Sequence, residues 1–405
     1  MLYETWFSRS YLSGLAGELG VSVLLVTILT GLPWIGSVGQ LLSVSWLNRA
    51  ASAKRYALTA LSIGRSIWIL AILLALVPGI SKSHWMEWTA LIACIAGVCA
   101  STGLVSWQAW IHGVVPAHCR GLFFGVRQSF WMVGIIAANL LGSFLVGWRP
   151  GGAYAGYLLL GILGVVAGWI SVALLALVPA SPTSVATRFE KRDFLTPLGD
   201  LRFRTVLILW PLLNGSLQIM GPFFPYFFTR EVGVPMSRIA IWILLGNVGS
   251  LMTVGFLGAR IDRTGDALEV VRWMGLLLAL QPLIYVLPSK GTILWIAPPE
   301  YFVNGIANSG LKVAILSLLW SVTPEGKNSL YFCVYEAVTG LFGALGTFAG
   351  GFLVKLFQAT PALQVHGSAF RGFFVAGAAL RVTVLVCGLW WARRMLARTE
   401  KSRVE

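Results

Sequence analysis

Eleven apolar stretches of about twenty residues or more run nearly uninterrupted along the 405-residue chain, and they restrict its fold more than any other feature. They lie near residues 21–47, 57–79, 88–111, 122–147, 154–178, 205–228, 236–259, 268–287, 296–321, 329–357 and 370–395. A hydrocarbon core about 30 Å thick is crossed by about 20 residues of helix at about 1.5 Å per residue. Backbone amides find no water there, so each stretch has to close its own hydrogen bonds as a helix. The runs are too long and too continuous for barrel strands. Composition agrees, with 57% of residues hydrophobic and 11% charged, where a soluble domain carries roughly 25% charged residues. The expected fold class is an all-α membrane protein, with the lipid bilayer as its surroundings.

The formal net charge of +15 would point to nucleic acid in a soluble protein. The placement of the charges excludes that partner, because nearly all sit in short gaps between apolar runs, where basic residues set topology. With the gap before residue 57 placed in the cytoplasm, 20 basic residues fall on the cytoplasmic face and 7 on the other. Arg9, Lys312 and Arg381 remain inside or beside the membrane. This split orients the chain with its C-terminus in the cytoplasm. The longest gap, Pro179 to Arg204, separates five clear runs from six and reads as a central cytoplasmic linker.

The chain also repeats itself. Residues 116–146 align with 324–354 without a gap at an offset of 208, and eight of 31 positions are identical, including Pro116 with Pro324 and Phe124 with Phe332. Gly20-Val21 pairs with Gly233-Val234, and Leu47-Asn48-Arg49 with Ile261-Asp262-Arg263. Two homologous halves related in parallel follow from this. The expected organisation is a first bundle over residues 1–178, the linker over 179–204, a second bundle over 205–397 and a cytoplasmic tail over 398–405.

Within that frame, Gly258-Ala-Arg-Ile-Asp262-Arg263-Thr-Gly265 resembles the G-x-x-x-D-R-x-G loop of the major facilitator superfamily, at the place in the half where that family carries it. Its first-half counterpart, Asn48 to Arg55, lacks the Asp and the Gly. The segment from Trp107-x-x-Trp110 to Arg127 is similar to the junction of the fourth and fifth helices in a bacterial subgroup, with His112-Gly113 near that pattern's Asp. The resemblance implies two six-helix bundles, a secondary transporter working by alternating access, a bacterial inner membrane and a monomer. Six helices per half also make residues 1–20, paired with 214–233, the last part of a first helix, so either the true start lies upstream of Met1, the favoured expectation, or the first helix is short.

The resemblance implies that Asp262 meets the positive start of the fifth helix, at Arg120 to Arg127, and latches the cytoplasmic side. The other reading is a charged loop that only sets topology. On the tenth helix, expected to open at Pro298-Pro299, Glu300, Asn304, Asn308 and Lys312 are four residues apart and share one stripe. A charge in mid-span should face water or a partner. In the family fold the first, fourth, seventh and tenth helices line the cavity, which adds Asn214 and Gln218 from the seventh and Trp107, Gln108 and Trp110 from the fourth. Helix packing is the competing reading. Glu300 is expected in a helix's first turn, stabilised by the dipole. Glu336, an acid inside the eleventh helix, reads either as a proton-coupling site or as an interfacial acid beside Arg127 or Lys327.

No phosphate-binding G-x-x-x-x-G-K-[ST], catalytic triad or metal-ligand spacing is present in the sequence, so neither an enzyme nor a cofactor is expected. The expectation is gradient-driven transport of a small solute, with a proton or ion as co-substrate. If Lys312 stands unpaired in the cavity, that solute is anionic or strongly hydrogen-bonding; a partner from another helix, Glu4 or Glu336, would remove that argument. A non-transporting sensor or scaffold and a lipid flippase stay open beside it.

Overall fold

The computed structural model describes residues 2–40, 52–115, 120–148, 155–180, 195–324 and 328–404, and among them it contains helices and no strand. Before the linker come α1 (Leu2–Trp6), α2 (Arg9–Leu19), α3 (Val23–Ile35), α4 (Ala53–Ser66), α5 (Trp68–Ala75), α6 (Lys82–Val114), α7 (Arg120–Gly147) and α8 (Ala155–Leu177). After it come α9 (Leu201–Met220), α10 (Phe223–Phe227), α11 (Met236–Thr264), α12 (Ala267–Leu280), α13 (Lys290–Val322), α14 (Asn328–Ala359) and α15 (Ala369–Val404). Ten described spans are long and apolar enough to cross a membrane, and Val23–Val38 is a shorter apolar helix. The end of the expected run 21–47 and the loop Asn48–Arg49 lie outside the described residues, as do the links at 116–119 and 325–327.

Local chemistry sets the helix ends. The Asp200 carboxylate accepts from the Arg202 and Phe203 amides and starts α9, while the Asp266 carboxylate accepts from Glu269 at the head of α12. These are ordinary N-caps, each meeting amides that have no helical partner. Gly20 and Gly233, the repeat partners, both take a left-handed conformation at φ 68° and 82°, where a Cβ would be strained. The duplicated sequence therefore makes the same turn twice.

Three expectations are corrected. Pro298 and Pro299 do not open the tenth helix, which starts at Lys290, capped by the Ser289 hydroxyl, and carries both prolines inside it. Neighbouring helices stabilise such breaks in the backbone ladder within a membrane. Glu300 is consequently not in a first turn: it is buried at 5% exposure and receives the Tyr285 hydroxyl. The last helix runs through the expected tail to Val404.

Packing follows the repeat. Helix α3 lies on α14, and α7 lies on α11. Since α7 aligns with α14 and α3 with the start of α11, these two seams are copies of one contact between halves. At the end opposite the linker, called here the sealed end, the halves share one core: Leu15, Leu19 and Val21 belong to the same buried cluster as Tyr226, Met236 and Val354. Ser143 donates to the Ser237 carbonyl at 2.6 Å, and the Tyr226 hydroxyl to Val21 at 2.9 Å. At the linker end the described core residues fall into separate clusters, one around Ala57, Trp110 and Ile111 in the first half and one around Phe203, Leu311 and Tyr331 in the second. Among the described residues, the halves share a core at one end and have separate cores at the other.

Candidate functional site

Between the halves lies a cavity of about 520 Å³, lined by residues of α2, α3, α9, α10, α11, α12, α13, α14 and α15. The polar stripe expected on the tenth helix faces it, since Asn304, Asn308 and Lys312 all line the wall, and Asn214 and Gln218 of α9 lie across from them. These amides form a ladder. Asn308 donates to the Asn304 side-chain oxygen at 2.8 Å, Asn304 to Gln281 at 2.7 Å, and Gln218 to Asn214 at 3.5 Å. Asn214 donates to the Thr339 carbonyl at 3.2 Å, tying α9 to α14. Burial of such amides is tolerated because nearly every donor finds an acceptor.

Lys312 of α13 and Glu336 of α14 both line the cavity, and no ion pair joins them within 4.0 Å. An acid from another helix thus shares the cavity wall with Lys312.

The fourth helix contributes differently from expectation. Trp110 is 1% exposed and donates its indole N–H to Pro179 at 2.8 Å, with the Lys54 ammonium 5.6 Å from its ring centre. Trp107 stacks under the Arg127 guanidinium at 4.6 Å. Both rings pack in the first half's own linker-end cluster, and neither lines the cavity. The Gln108 side chain lies outside the described residues.

In the loop, Gly265 closes α11 with φ 68° and donates its amide to Ile261 at 2.8 Å, which gives the motif's final glycine a backbone reason. Gly258 has open space around it. Asp262 and Arg263 are exposed, while the nearby Arg260 pairs with Glu269 at 3.5 Å. Among the described residues Asp262 has no ion pair to Arg127, whose guanidinium is on Trp107. The Arg120 side chain lies outside the described residues.

Sequence reasoning missed several lining residues, foremost Arg9, Trp34, Gln281, Thr339 and Arg381. Arg381 is 3% exposed, and its guanidinium donates to Leu278 at 2.8 Å, Leu217 at 2.9 Å and Ser216 at 3.3 Å. It thereby caps the C-terminal turns of α12 and α9, where carbonyls run out of helical partners and a cation meets the negative end of the dipole. Arg9 stacks on Trp34 with its guanidinium carbon 3.8 Å from the ring centre. The signal available in the sequence was the charge itself, an arginine within an apolar run.

Comparison with known proteins agrees with this architecture. A cis,cis-muconate transport protein from Acinetobacter baylyi is 23% identical over 296 residues, covering 68% of this chain; the match spans 64% of that relative's length. Among solved structures, an inward-facing, unoccupied bacterial homologue of the human lysosomal transporter Spinster superposes with a TM-score of 0.73 at 16% identity, covering 98% of this chain and 96% of that one. A D-xylose-proton symporter gives 0.70 at 14% identity, covering 95% of each. The sequence profile of the Major Facilitator Superfamily matches residues 2–299, and with that match, the repeated seams and the shared fold, the chain belongs to the Major Facilitator Superfamily.

Proposed function

We propose that this protein is a secondary transporter that carries a small, polar, anionic solute across a bacterial inner membrane by alternating access. The observation that carries the reading is the cavity between the halves, where three cations, Arg9, Lys312 and Arg381, stand against two acids, Glu336 on the wall and the buried Glu300, which acts on Arg381. A cavity that holds excess positive charge in a membrane is stabilised by a ligand of opposite charge. The muconate relative supports the same sign of charge, since muconate is a dicarboxylate. The shared core at one end and the split cores at the other suit an inward-facing state, with the linker and the C-terminus in the cytoplasm.

In this reading the two bundles, 1–178 and 205–397, rock about the paired seams. Asp262 and Arg263 latch the cytoplasmic side in the opposite state, and Glu336 is the acid placed to exchange a proton beside Lys312. Purified protein reconstituted into vesicles should move radiolabelled small acids down an imposed gradient and show counterflow. Folded protein that moved no member of a panel of acids, sugars and nucleosides would defeat the proposal, and flux confined to cations would defeat its charge assignment.

A further inference from the structure

Among the described residues, buried serine and threonine hydroxyls follow a rule with one exception. Thr27, Thr30, Thr89, Thr205 and Thr347 each donate to the carbonyl four residues back, and Thr102 to Cys99. The buried serines 13, 106, 143, 216 and 309 are likewise bonded to carbonyls. Thr339 is 4% exposed, yet its hydroxyl has no partner. Indole N–H groups behave alike: those of Trp6, Trp85 and Trp110 donate to carbonyls, but that of Trp34 is buried and unpartnered. Arg9 Nη1 is a third buried donor with no acceptor among the described residues.

All three residues line the transport cavity; Arg9 adjoins Trp34, and Trp34 packs on the stretch of α14 that carries Thr339. The Arg9 guanidinium lies on the Trp34 ring. That ring in turn lies on Gly343, where a Cβ would stand 2.7 Å from Cδ2, and the Trp34 carbonyl would be 2.9 Å from a Cβ at Gly340, the residue after Thr339. Arg9 and Trp34 belong to the first half and Thr339 to the second. Among the described residues, no acid lies within 4.0 Å of the Arg9 guanidinium, and Glu336 is the acid that lines the same cavity. A buried donor left unmade costs roughly 1–3 kcal/mol, more for a charged one, so three together in a cavity wall mark a place where an acceptor is missing.

Resting on the transport reading above, we infer that Arg9, Trp34 and Thr339 form a carboxylate subsite that straddles the two halves. Guanidinium and indole can only donate and the hydroxyl can donate, so the matching ligand group is acceptor-only and anionic, which describes an ionised carboxylate. The acid group of the solute then joins α2 and α3 to α14, and its arrival supplies a contact between halves that the empty protein lacks.

The test uses the full-length protein in detergent and thermal stabilisation by succinate, adipate, cis,cis-muconate and benzoate against their primary amides. Acids should stabilise the wild type and amides should not. Thr339→Val, which removes one donor at nearly constant shape, and Trp34→Phe, which removes the indole N–H together with its five-membered ring, should each raise the half-stabilising acid concentration about tenfold. Arg9→Gln should raise it about a hundredfold, with Arg9→Lys between. Should Arg9→Gln fail to fold, the other two variants decide. The inference is overturned if amides match the acids, if no acid stabilises the wild type, or if Trp34→Phe and Thr339→Val leave potency unchanged. Flux of a neutral solute would leave transport standing and remove the subsite; acid stabilisation through Arg9 without any flux would do the reverse.

Discussion

Replacing Gly351 by alanine should loosen the sealed end. Gly351 lies on α14 at the seam with α3, where a Cβ would fall 2.6 Å from Thr27 Cγ2 and 2.7 Å from Thr27 Cβ, and nearer still to its hydroxyl. Favourable carbon contacts begin near 3.5 Å, so the helices must separate by roughly 1 Å. Thr27 cannot simply rotate away, because its hydroxyl is held by the Val23 carbonyl at 2.8 Å. Overpacking of this size costs about 1–3 kcal/mol. The contact joins the two halves, so the cost falls on the state in which this end is closed and not on either half alone. The ratio of open to closed at the sealed end should rise by about 5–150-fold. The assay is thiol labelling of Ser143→Cys, placed on the other seam and 9% exposed, in a background without native cysteines. Labelling should accelerate in Gly351→Ala and recover in part when Thr27→Ala is added. Gly305→Ala is the contrast, since its Cβ would strike the Gly246 backbone within the second half, and it should lower stability without faster labelling. Unchanged labelling of Gly351→Ala, with unchanged melting, would refute the assignment of this seam to one state.

Three further outcomes are expected. Asp262→Asn should lower flux and raise accessibility of linker-end cysteines by about fivefold while membrane insertion is intact, the latch being worth roughly 1 kcal/mol; normal flux and accessibility would reduce Asp262 to a topology charge. Lys312→Met and Glu336→Gln should each impair transport more than their combination does, with a coupling of roughly 1 kcal/mol in melting experiments because both groups face the water of the cavity; additive effects would separate them. Arg381→Met, which leaves the ends of α9 and α12 without their cap, should cost about 3 kcal/mol or more and be seen as a fall in melting temperature that Arg381→Lys restores only in part.

The spans could be read from sequence because hydrocarbon leaves a backbone no alternative to helix, and the repeat made the second half a guide to the first. Asn304, Asn308 and Lys312 were legible for a related reason: a period of four places them on one face whatever else the chain does. Trp107 and Trp110 were assigned to the cavity by their helix, but helix identity does not fix which face looks inward; Ala57 and Pro179, distant in sequence, hold that face. Pro298-Pro299 suggested a helix start because isolated prolines end helices in water, whereas here the helix continues through them. The Arg9, Trp34 and Thr339 grouping was invisible because it depends on α3 crossing α14, a pairing 300 residues apart that no local pattern encodes. Even Lys312 needed the structure, since the acid that shares its cavity wall stands on another helix.

The apolar core that the two halves share at the sealed end also gives the transport cycle a thermal signature. Opening that end would carry Leu15, Leu19, Val21, Tyr226 and Met236 from contact with one another to contact with water. Exposure of apolar surface raises heat capacity, and its free-energy cost near room temperature is almost wholly entropic. The balance between the two facing states should then curve with temperature instead of following a straight van't Hoff line. On cooling, the seal weakens while the polar cavity keeps its hydrogen bonds, so a protein of this design drifts toward the form open at that end in the cold without any change of ligand.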